Sequence, residues 1–493
     1  MKKIALCFVM CLAAIAASAQ IERPKLVVGL VVDQMRWDYL YYYYDKFGEG
    51  GLKRLVDEGF SCENCQINYV PTVTGIGHAS IYTGTPPALH GIAGNDFWNG
   101  SRFTYCCSDH SVKNVGGEGS GGEMSPRKMV ATTIGDMLKI ATDFRAKVYG
   151  VAMKDRAAIL PAGHAADAAF WWDQASGNYV TSTYYMNELP KWVIDFNKKN
   201  YTKPGYDIKT SNEGVTMTFK MAEAILDNEN LGRHADPDML CISVSSTDAI
   251  GHTFSTRGQE NYEVYMQLDK DLAKFLKKLD KEIGKGKYLL FLSADHGGAH
   301  NSNFLNQHRI PAGGWSIGDA RKAVNNYLKG KFGVSDLVKG TYGYKMFFNR
   351  DELEKQGLDL DEVKTEAVKF LSKDPDLLYV VDMAKAAQAT IPAWIKEQII
   401  NGWHTQRSGD IICITKAGYY EFKPGPDYKG TTHSAWNPYD AKIPCVFFGW
   451  KVSHGSTAQS VHMIDIAPTV CSMLHIQQPN SCIGNAITQL TDK

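Results

Sequence analysis

Four short segments of this sequence place carboxylates and imidazoles directly behind apolar runs. They are Val32-Asp33-Gln34, Ser246-Thr247-Asp248-Ala249-Ile250-Gly251-His252, Ser293-Ala294-Asp295-His296-Gly297 and Gly430-Thr431-Thr432-His433. Asp and His together suit zinc, whose catalytic sites keep one position open for water or substrate. Asp248 and His252 are four residues apart, so one helical turn puts both on a single face. Each segment alone has an ordinary reading. An Asp that ends a strand is commonly a cap or turn residue, Asp295-His296-Gly297 has the composition of a turn, and a lone His433 is a surface histidine. What points to a metal centre is their joint occurrence, each behind an apolar run.

The elements that must position these residues follow from hydrophobic patterning. Residues 25–32 form a continuous β-branched run without alternation, the pattern of a strand buried on both faces. Strands are also predicted over 147–153, 239–245, 288–293 and 443–449. A helix is predicted over 38–58, closed by Gly59, and amphipathic helices over 262–283 and 464–474. Strands alternating with helices imply an α/β fold with a mainly parallel sheet, in which ligands bind outside the carboxyl ends of the strands. Two stretches break this rhythm. Residues 97–146 are rich in Gly and Ser, and the run from Gly116 to Gly122 reads as a flexible loop. Residues 303–403 carry their own order of helix (318–329), strand (344–349), helix (361–372) and strand (377–382), which reads as an inserted α+β subdomain because ligand-bearing segments resume after it.

Composition sets the compartment and excludes some partners. Lys2 and Lys3, the apolar run 4–17 and Ala17-Ser18-Ala19 have the pattern of a secretory signal spanning 1–19, with 20–493 as the mature periplasmic or secreted chain. No later stretch is long and apolar enough for a membrane helix. Lys plus Arg and Asp plus Glu number 53 each, with no clustered basic face of the kind that binds nucleic acid. Beyond the signal stand Cys62, Cys65, Cys106, Cys107, Cys241, Cys413, Cys445, Cys471 and Cys482, an odd set that leaves at least one without an internal partner. Cys62-x-x-Cys65 lacks the second pair of a zinc ribbon and reads as a structural disulfide or two buried thiols.

Two further motifs, Pro71-Thr72-Val73-Thr74-Gly75-Ile76-Gly77-His78-Ala79-Ser80-Ile81-Tyr82-Thr83-Gly84 and His90-Gly91-Ile92-Ala93-Gly94-Asn95, join Asp248 with His252, Asp295-His296 and His433. As a set they resemble the alkaline phosphatase superfamily, most closely its PafA-type alkaline phosphatases of Bacteroidetes, across essentially the whole mature chain. The resemblance implies a three-layer α/β sandwich and two zinc ions. One would be held by Asp248, His252 and His433, the other by Asp33, Asp295 and His296 with the Thr74 oxygen. It implies hydrolysis of small-molecule phosphomonoesters, with Thr74 forming a phosphothreonine and Asn95, Lys154 and Arg156 directed at the phosphoryl oxygens. The chemistry is coherent, because a threonine hydroxyl is a poor nucleophile unless a metal lowers its pKa.

Thr72 is the nearest competitor, and the family spacing favours Thr74. A helix expected over 77–82 would turn its N-terminus toward phosphate, although Thr74 has the ordinary reading of that helix's cap. Lys154 and Arg156 would otherwise be a solvated pair; an extended backbone would aim both to one side, where two cations favour the doubly charged monoester. His78 reads as a structural hydrogen-bonding residue, His300 and His308 flank the start of the insertion, and His462 is not proposed as a ligand. The alternatives are a phosphodiesterase or nucleotide pyrophosphatase, which pairs Thr with Asn but typically lacks the Lys-x-Arg pair, and an inactive relative that binds zinc or phosphate.

Overall fold

The computed structural model describes residues 21–491, apart from 100, 101, 423, 424 and 426, so the signal-like run 1–19 lies outside the described residues. Ten strands form the central sheet. From edge to edge they are Gly455–His462, Phe60–Gln66, Cys445–Gly449, Tyr288–Ser293, Leu26–Val32, Asp238–Val244, Val148–Ala152, Ala168–Asp173, Asn178–Ser182 and Asn114–Val115. The five from Tyr288–Ser293 to Ala168–Asp173 run parallel. Cys445–Gly449 and Asn178–Ser182 flank them antiparallel. Every residue of Leu26–Val32, Asp238–Val244 and Tyr288–Ser293 is buried. Helices cover the sheet and share one apolar core with it, which is why these strands read as unbroken apolar runs.

Two expectations are corrected and one pair of alternatives is decided. The helix over 38–58 is instead Tyr39–Tyr42, a 3-10 turn at Tyr44–Lys46 and a separate helix Leu52–Glu58. Gly48, Gly50 and Gly51 are poor helix formers, and Asp269 accepts from the backbone N–H groups of Gly48 (2.8 Å) and Leu52 (2.7 Å), which caps the second piece from outside. The 97–146 stretch is not a loose loop. It contains the hairpin Asp96–Asn99/Arg102–Tyr105 and the helix Ile134–Ala141, which opens on a Thr133/Asp136 capping box. The glycine run is pinned, with Asn114 Nδ2 donating to the carbonyls of Glu118 and Gly119 and Trp171 Nε1 donating to that of Gly121. Finally, all nine cysteines are unpaired; Cys62 and Cys65 are two buried thiols.

The second sheet is antiparallel and four-stranded, in the order Val338–Tyr342, Lys345–Phe348, Ile411–Thr415 and Leu377–Asp382. Its third strand comes from beyond residue 403. The helices Ile317–Phe332 and Leu360–Leu371 supply Val324, Leu328 and Val363 to a core separate from that of the main sheet. Val70 and Ala435 also belong to that second core. They precede Thr74 and follow His433, so the subdomain packs directly against two of the segments that carry candidate site residues.

Candidate active site

The candidate residues gather at one edge of the sheet because parallel strands end there. Asp33 directly follows Leu26–Val32, and Asp295 and His296 follow Tyr288–Ser293. Asp248 and His252 lie in the helix Ser246–Phe254 behind Asp238–Val244, and Lys154 follows Val148–Ala152. The helix behind the threonine motif starts earlier than expected, spanning Thr74–Thr83, with all its residues buried. Val73 occupies the cap position without a side-chain cap bond, so Thr74 is the first helical residue and its hydroxyl is not the cap. Gly77 allows this helix to lie against the sheet edge, since a Cβ there would sit 2.3 Å from the Asp295 carbonyl oxygen.

The imidazoles are oriented by the backbone. His252 Nδ1 bonds the Thr431 carbonyl (2.9 Å), His433 Nδ1 the Thr72 carbonyl (2.6 Å) and His296 Nδ1 the Gly297 carbonyl (2.9 Å). A carbonyl accepts only from N–H, so in all three rings Nδ1 carries a proton and Nε2 is the nitrogen turned to the site, the orientation that metal-ligating histidines use. Asp248, His252 and His433 offer ligand atoms within 4.8 Å of one another, and so do Asp33, Asp248 and His296. Asp248 is thus shared between the two groups. Asp295 gives Oδ1 to the N–H groups of Gln34 (3.1 Å) and His296 (3.0 Å), which leaves Oδ2 to the site, 3.4 Å from His296 Nε2. Asp33 Oδ1, Asp295 Oδ2 and His296 Nε2 are buried without a hydrogen-bond partner. Orphaned buried acceptors are costly unless a cation completes them, and the Asp/His donor set without Cys fits zinc. The His252 side of the cage is the open one: its side chain is 38% exposed, against 0% for His296.

Lys154 stands among these carboxylates, with Nζ 2.6 Å from Asp33 Oδ2, 2.5 Å from Asp248 Oδ2 and 3.4 Å from Thr74 Oγ1. Burial pushes the Asp248 carboxyl up, but His252 and Lys154 outweigh it and hold it low; burial and the Asp33 charge drive Asp295 up. The backbone from 154 to 156 is not extended as expected. Lys154 caps the helix Asp155–Ala162, and Arg156 is its second residue. Arg156 therefore turns to Tyr105, donating from an Nη to the phenol oxygen (3.1 Å), while that hydroxyl bonds Asp155. Asn95 is half-buried, and its Oδ1 accepts from the Gly75 N–H (2.7 Å).

Residues 27–437 match the type I phosphodiesterase / nucleotide pyrophosphatase family. The chain is 44% identical to alkaline phosphatase PafA of Elizabethkingia meningoseptica, over 95% of each chain. This protein is a PafA-type member of the alkaline phosphatase superfamily. It is also 45% identical, over 97% of each chain, to a Myroides odoratus protein named calcium-transporting ATPase. The crystal structure of wild-type PafA matches it with a TM-score of 0.92, covering 96% of this chain and 100% of that one. Among the described residues no helix is long and apolar enough to cross a membrane.

Three residues in this PafA-type site escaped the sequence reading. Gln34 adopts a positive φ of 62° and donates from Nε2 to Asp248 Oδ1 (2.6 Å). Its signal was its place directly after Asp33. Tyr105 and Tyr342 hold Arg156 and the Asn95 backbone, respectively, and neither has a motif. Of the remaining histidines, His78 bonds the Thr74 carbonyl (2.9 Å) and Ser243 Oγ (2.8 Å), and burial pushes it down to about 4, which keeps it neutral. His300 bonds Thr256 Oγ1 (2.6 Å), and His462 opens a helical turn with Asp465.

Proposed function

We propose that this protein is an exported, zinc-dependent phosphate-monoester hydrolase that works through a phosphothreonine at Thr74. The observation that carries the reading is the meeting of Thr74 Oγ1 with the Lys154 ammonium at a cage of buried carboxylates and imidazole Nε2 atoms. The ligand sets are Asp248, His252 and His433, and Asp33, Asp295 and His296 with Thr74. Zinc bound there supplies Lewis acidity toward the attacking and departing oxygens. Thr74 Oγ1 attacks phosphorus as the bond to the leaving oxygen breaks, and water then displaces the threonine oxygen, releasing phosphate and restoring the hydroxyl. Lys154 already occupies a cation's place beside the nucleophile and is set to pass its N–H donors from Asp33 and Asp248 to a phosphoryl oxygen. Arg156 and Asn95 serve the remaining oxygens. Export is supported by the basic and apolar run at 2–19.

Charge separates monoester from diester. A monoester brings a dianionic group to Lys154 and Arg156, whereas a diester has an ester substituent where one charged oxygen would be. The terminal phosphoryl group of ATP has the same three free oxygens, so ATP hydrolysis follows from this site without a transport step. Purified protein should therefore cleave a chromogenic phosphomonoester faster than the matching diester. Replacing both Lys154 and Arg156 by Ala should cut monoester kcat/KM by roughly a hundredfold, the scale of losing strong electrostatic donors, with a much smaller loss on the diester. Equal losses would mean that the pair serves folding or general binding, and the monoesterase reading would lose its main physical support. No turnover of either ester by zinc-loaded wild type would favour the binding protein.

A further inference from the structure

Asn95 lies in the coil between the helix Pro87–His90 and the strand Asp96–Asn99; its carbonyl accepts from the Cys106 N–H (2.8 Å) at the end of the hairpin ladder, which leaves its own N–H and side chain to be held by other contacts. The Gly75 N–H faces its amide, and a donor there requires the carbonyl oxygen; the NH2 group is thereby turned away as the donor for a ligand. What holds the N–H side of that backbone comes from the inserted subdomain. The hairpin of Val338–Tyr342 and Lys345–Phe348 turns at Gly343 and Tyr344 and reaches the coil with its tip. Tyr342 Oη accepts from the Asn95 N–H at 3.0 Å, and Lys345 Nζ donates to the carbonyls of Ala93 (3.4 Å) and Gly402 (3.3 Å). Between these two grips Gly94 lies so close that a Cβ there would be 2.6 Å from the Tyr342 ring. A Cβ at Gly343 would be 3.1 Å from Pro71, so the same tip also touches the turn leading to Thr74.

We propose that the hairpin tip positions Asn95 for the phosphoryl group, with the Tyr342 hydroxyl as the positioning group and the subdomain as its support. This rests on the monoesterase reading. Tyr342 acts through Asn95 and does not itself touch substrate. The turn at Pro71 that leads into the Thr74 helix and the coil that carries Asn95, which would bracket a phosphoryl group, thereby meet one hairpin tip and each other through Gly75. Removing the hydroxyl while keeping the ring leaves the packing on Gly94 intact and releases only the Asn95 backbone.

The test is Tyr342→Phe in the zinc-loaded enzyme, alone and combined with Asn95→Ala. Alone it should lower monoester kcat/KM about tenfold, the low end of what supporting residues contribute, and weaken inhibition by inorganic phosphate in parallel, with zinc content unchanged. In the Asn95→Ala background it should cost nothing further, because two residues acting through one amide are not additive. A Tyr342→Phe enzyme within twofold of wild type, or one whose loss multiplies fully with that of Asn95→Ala, would overturn the proposal. Absence of monoesterase activity in wild type would instead sink the function reading, so the two failures are distinguishable.

Discussion

Lys345 gives a prediction whose size can be worked out from its surroundings. Its side chain is 1% exposed, and its ammonium faces the carbonyl oxygens of Ala93 and Gly402. Burial pushes its pKa down from 10.5 to about 7. In the unfolded chain the group keeps its proton up to about 10.5; in the folded chain it begins to lose it near 7. Between those values the unfolded state binds more protons, so this group makes stability rise with pH, by ~1.4 kcal/mol per pH unit once the folded group is neutral. Methionine at 345 fills much the same space and does not titrate. From pH 7 to pH 9 the wild type should therefore gain about 2 kcal/mol relative to Lys345→Met, and other titrating groups cancel in the difference. Urea unfolding of both proteins at the two pH values, with zinc saturating throughout and tryptophan fluorescence as the signal, measures it. A gap that stays constant to within ~0.5 kcal/mol, the usual tolerance of additivity, would show that Lys345 keeps an ordinary pKa and that carbonyls alone suffice to stabilise its charge.

Two further outcomes follow from the site. Thr74→Ala should lower monoester turnover by orders of magnitude while Thr74→Ser keeps substantial activity, since only the second retains a nucleophilic hydroxyl; an active Thr74→Ala beside a dead Thr72→Ala would mean that the other threonine attacks. Metal analysis should find about two zinc ions per chain, and exhaustive chelation should abolish activity and lower thermal stability together, because Asp33 Oδ1 and Asp295 Oδ2 are buried without a hydrogen-bond partner. Full turnover after metal removal would refute the ligand assignment.

What could be read from the sequence was whatever local order encodes. The buried parallel strands announced themselves as unbroken apolar runs, and the residues behind them had to share one sheet edge, so Asp33, Asp248, His252, Asp295 and His296 could be grouped from the sequence. Asp248 and His252 do share a helix face as their spacing requires. The failures have a common cause in contacts distant along the chain. The helix over 38–58 breaks where Asp269, far along the chain, takes over the backbone donors. The glycine run at 116–122 is held by Trp171 and Asn114, not freed by its composition. The Lys154-x-Arg156 spacing suggested two side chains on one side of an extended segment, but a helix begins between them.

Those failures also explain how the work of the site is divided. The sheet edge alone would assemble charge, with carboxylates, imidazoles and one lysine converging because parallel strands end together. It does not reach Asn95, on coil, or Arg156, in the first turn of a helix. Each meets a tyrosine hydroxyl from outside the parallel strands: Tyr105 of the Asp96–Asn99/Arg102–Tyr105 hairpin accepts from Arg156, and Tyr342 of the inserted subdomain accepts from the Asn95 N–H. A phenol suits this work because its rigid ring packs like a core residue while its hydroxyl can accept from one group and donate to another. The charged cage is thus set by topology and the reach of its polar donors by packing, and only the first of these leaves a periodic trace in the sequence.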